Sequence, residues 1–213
     1  MAAKAAQLAG EGYTQLKLKL SGDTALDVKR IAEVRAAAGA GVRLTLDPNQ
    51  SYNAKQMMAA FAKMEDFGIV LIEQPVPASD WEGLALLTRT LPVAIEADET
   101  ARTVEDVFRI ATDRVADVVN LKITKLGGIC RFMEAVRICE AANIVCRVGA
   151  AFGPALLQAA GVQVASVLKA LPFACELSEH QHLRDDPFTA LPVEHGEIAV
   201  PMGPGCGVTY AAR

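Results

Sequence analysis

The segment "QLKLKL" (residues 15–20) places two lysines one residue apart in a run that is otherwise typical of a buried strand. Successive side chains of a strand point to opposite faces, so Lys17 and Lys19 share one face and the leucines share the other. Burying an ammonium group costs free energy, and two neighbouring ones lower each other's pKa. The segment therefore predicts a strand with one apolar face and one face that needs acidic partners.

The composition is that of a globular chain with one sizeable core. Of the 213 residues, 52% are hydrophobic and 22% are charged, within the range of a single α/β domain. The net charge of −4 and a pI near 5.4 argue against binding to nucleic acid or to an anionic membrane. The five cysteines form no CxxC pair, and the first residues lack the apolar core of a signal peptide. These features predict a cytoplasmic protein.

Short apolar runs alternate with helix-like segments along the whole chain. Such alternation indicates βα units and a parallel sheet. The predicted strands are 15–20, 42–47, 69–73, 93–98, 117–122, 144–149 and 172–177, and the predicted helices lie near 24–38, 53–67, 80–90, 103–113, 128–142 and 154–170.

A charged residue closes five successive predicted strands. Lys19, Asp47, Glu73, Asp98 and Lys122 follow one another at intervals of 28, 26, 25 and 24 residues, one βα unit each. In a parallel barrel the carboxyl ends of the strands meet at one rim, whereas an open doubly wound sheet would spread them, and no GxGxxG loop supports the latter. The pattern predicts a TIM-type (β/α) barrel. Because only seven strands are counted where eight are needed, the barrel is expected to be incomplete at its N-terminus.

Three carboxylates on successive strand ends, Asp47, Glu73 and Asp98, predict a metal site. Hard oxygen ligands without histidine or cysteine favour Mg²⁺, with Mn²⁺ as the alternative. Asn49 and Glu99 are expected to support these ligands from beside them. The competing interpretation is a set of unrelated solvated acids at helix starts, where acidic residues are common.

The lysines flank the carboxylates in strand order. With Lys17 and Lys19 before them and Lys122 after them, ammonium groups are expected on opposite sides of a metal-bound substrate. Lys17 beside Lys19 is expected to lower the pKa of at least one of them, as a proton-abstracting lysine requires. Lys125 is interpreted as a supporting or a surface lysine, and Glu176 as a partner for a substrate amine or a lysine, or as a structural acid.

The motifs "LKLKL", "LDPNQSY", "IEQP", "EADET" and "NLKITKLGG" together resemble the successive strand ends of the enolase superfamily, in its muconate-lactonising-enzyme-like subgroup. The resemblance runs from about residue 12 to "MGPGCGV" near the C-terminus. It implies that Lys19 and Lys122 are the two acid/base catalysts, that Lys17 assists Lys19, and that the three carboxylates bind Mg²⁺. Members of this family also carry an N-terminal α+β capping domain and a first barrel strand, which residues 1–213 do not match.

Two functions follow as alternatives. The first is an enzyme that removes the α-proton of a small carboxylate substrate, such as an amino-acid derivative, to give a metal-stabilised enolate. Racemisation or epimerisation, dehydration and cycloisomerisation all remain open. The second is a non-catalytic barrel fragment. Since unpaired strand edges invite pairing, we expect a homo-oligomer or completion by an N-terminal segment.

Overall fold

The computed structural model describes residues 1–189 and 191–211, and in them six parallel strands alternate with helices. The strands pair in chain order to form one curled sheet, a half-barrel. The strands are β1 (Gln15–Lys19), β2 (Arg43–Asp47), β3 (Ile69–Glu73), β4 (Ala94–Ala97), β5 (Val118–Leu121) and β6 (Val145–Val148). The α-helices are α1 (Ala2–Gly10), α2 (Thr24–Ala38), α3 (Ala54–Phe61), α4 (Trp81–Thr90), α5 (Val104–Asp113), α6 (Ile123–Leu126), α7 (Ile129–Ala142) and α8 (Ala155–Ala165), with 3₁₀ turns at Glu65–Phe67 and Glu179–His182.

The two faces of the sheet differ in chemistry. Leu16 and Leu18 are buried in the apolar core with the helices, while Lys17 points into the half-barrel, so β1 has the two faces that its sequence predicts. In-register pairing brings Lys19 opposite Asp47 at the carboxyl end of the first two strands. The predicted barrel class is confirmed, and the carboxyl ends of the strands gather at one rim.

Side-chain caps begin three of the helices that follow this rim. Asp23 caps α2, and Asn53 and Thr103 form reciprocal capping boxes at α3 and α5. Each cap satisfies backbone N–H groups that have no partner inside the helix, so the helix starts at a defined residue. The loops before these three helices therefore end at a short polar residue.

The predicted seventh strand is wrong. Residues 172–177 run alongside the half-barrel without joining its ladder. Side chains hold them instead: Arg43 donates to the Pro172 carbonyl at 2.8 Å, and the Ala174 N–H donates to Gln15 at 3.2 Å. Because side chains satisfy these backbone groups, an apolar run of strand-like composition is ordered here without strand pairing. The outer edge of β1 has no neighbouring strand among the described residues.

No helix in the described ranges is both long and apolar enough to cross a bilayer.

Candidate active site at the carboxyl ends of the strands

A cavity of about 880 Å³ opens at the rim of the half-barrel. All nine residues that the sequence predicts for the site line this one cavity. They are Lys17, Lys19, Asp47, Asn49, Glu73, Asp98, Glu99, Lys122 and Glu176. Proximity of these residues is therefore a property of the fold, while their roles remain predictions.

The first lysine pair, Lys17 and Lys19, holds Asp47 from two sides. The Lys17 ammonium lies 2.9 Å from Asp47 and 2.8 Å from Glu73, and Lys19 Nζ donates to Asp47 at 2.5 Å. Glu176 also contacts Lys17, at 2.9 Å. This contact agrees with the interpretation of Glu176 as a partner for a lysine.

The carboxylates around Lys17 determine its charge state. Burial lowers its pKa, but Glu73, Glu176 and Asp47 together raise the pKa above its usual value. The sequence predicts a lowered pKa for at least one of Lys17 and Lys19, and Lys17 is not that residue. Three carboxylates within hydrogen-bond distance outweigh one like charge on the same strand face, so Lys17 stays protonated.

Asn49 links the first lysine pair to the next loop. It accepts a hydrogen bond from Lys19 at 2.7 Å, and its backbone N–H donates to Asp47 at 3.0 Å. Its side-chain amide donates to Glu99 at 3.3 Å. The two residues expected to support the ligands thus contact each other, although they lie 50 positions apart in the chain.

The second lysine pair, Lys122 and Lys125, holds Asp98. Lys122 lies 2.6 Å from Oδ2 of Asp98 and Lys125 lies 2.6 Å from Oδ1, whereas Lys17 and Lys19 both contact Oδ2 of Asp47. Burial raises the pKa of Asp98, but Lys125 and Lys122 together lower the pKa to about 2. For Lys125 burial outweighs the attraction of Asp98, and its pKa is lowered. Of the two interpretations of Lys125, the geometry favours the supporting lysine, since it also donates to the Asp98 carbonyl at 2.6 Å.

Sequence reasoning missed Arg147, which is fully buried at the centre of the half-barrel. It donates to both oxygens of Glu96, at 2.8 and 2.7 Å, and to Glu73. Asn120 donates to Glu73 from the other side, at 3.1 Å. Burial and the neighbouring Glu96 raise the pKa of Glu73, against the opposing pull of Arg147 and Lys17. One signal was present: a lone arginine in the strand "IVCRVG" needs a buried acid, and "VAIEAD" offers one.

Gly149, directly after β6, leaves room for the second lysine pair. A Cβ at this position would lie 1.8 Å from Asn120 Oδ1 and 2.9 Å from Lys122 Cε. Any larger residue would therefore displace Asn120 and the stem of Lys122. The absence of a side chain at residue 149 is part of the site geometry.

The site also fits a divalent cation by the chemistry of its donors. The carboxylates of Asp47, Glu73 and Asp98 are among those that line the cavity, and the described residues include two buried acceptors without a hydrogen-bond partner, Glu99 Oε2 and Asn120 Oδ1. In the present conformation no three His, Cys, Asp or Glu side chains of residues 1–189 and 191–211 are grouped as a ready metal cage. Lysine ammonium groups contact these carboxylates instead. The carboxylates therefore already stabilise positive charge at this position. A bound cation would take over that role.

Comparison with known proteins identifies the family to which the chain belongs. The model of a family described as "Enolase C-terminal domain-like" matches residues 1–213. L-Ala-D/L-Glu epimerase of Bacillus subtilis (strain 168) is 35% identical over 217 residues, which cover 100% of this chain and 59% of that enzyme. Chloromuconate cycloisomerase CbnB of Cupriavidus necator is 32% identical, over 92% of this chain and 54% of that enzyme.

Solved structures agree with these sequence matches. The dipeptide epimerase from Enterococcus faecalis V583 superposes with a TM-score of 0.92 at 29% identity, over 98% of this chain and 61% of that one. The 2-chloromuconate cycloisomerase from Rhodococcus opacus 1CP has a TM-score of 0.92 at 28% identity, over 99% of this chain and 57% of that one. The chain thus spans somewhat more than half the length of these relatives.

Proposed function

Since the chain belongs to the enolase superfamily, in its muconate-lactonising-enzyme-like subgroup, we propose that it carries the metal ligands and both acid/base lysines of an enzyme that removes the α-proton of a small carboxylate substrate. One observation carries the proposal. Two lysine pairs face one cavity from opposite ends of a row of three carboxylates, in strand order.

The proposed metal ligands are Asp47, Glu73 and Asp98, and the proposed cation is Mg²⁺, with Mn²⁺ as the alternative. When bound, Mg²⁺ supplies the positive charge that stabilises negative charge developing on the substrate carboxylate. Asn49 and Glu99 support the carboxylates through the hydrogen bonds described above.

The proton is moved by the lysines. Lys19 and Lys122 approach the α-carbon from opposite faces, so one removes the proton and the other returns it or donates to a leaving group. Lys17 assists Lys19 by holding Asp47 and Glu73 in place. Lys19 contacts Asp47 and Lys122 contacts Asp98, so a bound cation would share these two carboxylates with the ammonium groups.

The names of the relatives suggest two substrate classes to assay, dipeptides and muconates. Racemisation or epimerisation, cycloisomerisation and dehydration share the α-proton step. Exchange of the α-proton in D₂O, followed by NMR over a panel of dipeptides and cis,cis-muconate, therefore tests the proposal before the overall reaction is known. A cytoplasmic location is part of the same proposal.

Metal binding provides the first test. A ligand that binds only the folded state stabilises it by about 2.7 kcal/mol at a concentration of 100 Kd. We expect added Mg²⁺ to raise the melting temperature of the 213-residue chain, and Asp98→Asn to remove most of this increase. An equal increase in both proteins would contradict the metal assignment.

A second candidate function rests on the open edge of β1. Among the described residues no strand pairs with this edge, and residues 172–177 beside it make no ladder. A non-catalytic fragment that needs another polypeptide segment would have these features. We therefore expect the isolated chain to self-associate, or to turn over only when a segment supplies a further strand. Light scattering combined with the exchange assay tests this: a monomer with full activity would exclude the fragment hypothesis.

A further inference from the structure

Gln74, the residue after the proposed ligand Glu73, is fully buried and uses its whole side chain. Its amide group donates to the Val76 carbonyl and to the Thr100 hydroxyl, both at 2.9 Å. Its carbonyl oxygen accepts from the backbone N–H groups of Asp98 and Thr100, both at 3.0 Å. Two donors and two lone pairs are all that a glutamine side chain has, so none is left unpaired.

The backbone of Gln74 joins the neighbouring loops as well. Its N–H donates to the Glu96 carbonyl at 2.8 Å, and its carbonyl accepts from the Gln50 N–H at 2.9 Å. Gln50 belongs to the loop that carries Asn49, directly after Asp47 on β2. One residue thus contacts the ends of three successive strands, and each of those ends carries one of the proposed ligands.

Gln74 also has an unusual backbone conformation. Its φ of +37° lies in the left-handed region, which residues other than glycine rarely adopt. Such a conformation persists only where the surroundings impose it. Here the six hydrogen bonds impose it, and the result is that the side chain points towards the loop of Asp98 rather than along its own strand.

We propose that Gln74 is a positioning residue: it sets the backbone of Asp98 relative to Glu73, and through this spacing it sets the affinity of the site for Mg²⁺. This inference rests on the proposed function, because it assigns a task to Gln74 only if the three carboxylates bind a cation. Gln74 itself need not touch the cation or the substrate.

The test is Gln74→Met, which keeps the length of the side chain and removes all four of its hydrogen bonds. Calorimetric titration of the 213-residue chain with MgCl₂ is expected to give a Kd raised 10- to 100-fold, the usual effect of losing a residue that orients metal ligands. The matched control is Gln158→Met. Gln158 is also fully buried and donates to the Ala151 carbonyl at 3.0 Å, but it lies on α8, and in the described part of the chain its side chain makes no hydrogen bond to the loops after Asp47, Glu73 or Asp98. Its substitution should lower stability while leaving the Kd for Mg²⁺ within about twofold of wild type.

A milder pair of variants covers the case in which Gln74→Met does not fold. Thr100→Val removes one partner of the Gln74 amide with little change in shape, and should raise the Kd severalfold. Thr100→Ser keeps the hydroxyl and should bind Mg²⁺ with the affinity of wild type.

The outcomes separate the two proposals. If wild type fails to bind Mg²⁺, the proposed function is wrong and this inference is lost with it. If wild type binds and the Gln74 and Thr100 variants bind equally well, only the role of Gln74 is refuted. Equal weakening in Gln74→Met and Gln158→Met would also refute it, because loss of stability alone would then explain the change.

Discussion

The two lysine pairs face the same cavity from opposite ends of the carboxylate row, but they have different numbers of acidic partners. Lys17 is shared among Asp47, Glu73 and Glu176, whereas Lys122 and Lys125 share the single carboxylate of Asp98. The pKa of Lys17 is raised by its three partners despite burial, and the pKa of Lys125 is lowered because burial outweighs one partner. The balance between burial and the number of carboxylates thus sets the direction in which the pKa of each of these two lysines shifts.

The largest effect is expected from removing the two proposed catalysts one at a time. Lys19→Ala should strongly slow α-proton exchange from one stereoisomer of the substrate and retain exchange from the other, and Lys122→Ala should do the reverse. General acid/base catalysis contributes about 10²- to 10⁴-fold, so the affected exchange rate should fall by that factor. NMR in D₂O, on a preparation of the protein that catalyses the exchange, measures these rates. Loss of both exchanges in each variant, with the fold intact, would mean that the two ends do not act on two faces.

The fold and the position of one charged residue at each of five strand ends were predictable because they depend on local pattern. Strand and helix runs alternate, and each charged residue stands one βα unit after the previous one, so topology alone brings them to one rim. Lys125 was harder to interpret. Only the turn of α6 brings it beside Lys122, and the sequence of "KITK" fits a surface helix equally well.

The specific pairing of the buried charges was harder to predict, because their partners come from distant parts of the chain. Arg147 lies 51 positions from Glu96 and 74 from Glu73, and no local pattern pairs them. The seventh strand was predicted wrongly for a related reason. Residues 172–177 have strand-like composition, but Gln15 and Arg43, more than a hundred positions away, satisfy their backbone groups. Propensity describes a segment, whereas these contacts depend on the whole fold.

A smaller effect, largest at the second lysine pair, is expected from Gly149→Ala. The added Cβ would overlap Asn120 and the stem of Lys122, and a displacement of about 1 Å can cost up to about 100-fold in rate. Exchange at the Lys122 face should fall about 10- to 100-fold, and exchange at the Lys19 face should change much less. Gly41→Ala is the control, since a Cβ at residue 41 would meet no atom within 4 Å. Equal losses at both faces would show that residue 149 affects the fold rather than one lysine.

The contacts of Asp98 with Lys122 and Lys125 should affect how the free energy of unfolding of the metal-free chain depends on pH in acid. The pKa of Asp98 falls from 3.8 in the unfolded chain to about 2 in the folded one, so the unfolded state takes up its proton first as the pH drops. The stabilisation is complete above pH 3.8 and is lost as the pH falls towards about 2. It amounts to about 2 kcal/mol.

Urea unfolding at a series of pH values between 5 and 2, with EDTA present, measures this contribution. Wild type should lose about 2 kcal/mol more than Asp98→Asn over the range. Asp113→Asn, at an exposed aspartate on α5, controls for the general effect of removing a negative charge. Parallel pH profiles for wild type and Asp98→Asn would mean that the second pair does not hold Asp98 ionised.

The smallest effect is expected from Glu176→Gln, which removes one of three carboxylates from Lys17. Lys17 would keep Asp47 at 2.9 Å and Glu73 at 2.8 Å, and Glu176 is itself 30% exposed, so screening by water limits its contribution. We expect a loss of about 1 kcal/mol or less in the free energy of unfolding at pH 7, decreasing further with added salt. Asp98→Asn under the same metal-free conditions should cost about 2 kcal/mol or more, because two ammonium groups then lose the only carboxylate within 4 Å of them in the described chain. If Glu176→Gln lowers the free energy of unfolding as much as Asp98→Asn does, Asp47 and Glu73 do not compensate for the loss of Glu176. The difference drawn here between Lys17 with three carboxylates and Asp98 with two lysines would then be wrong.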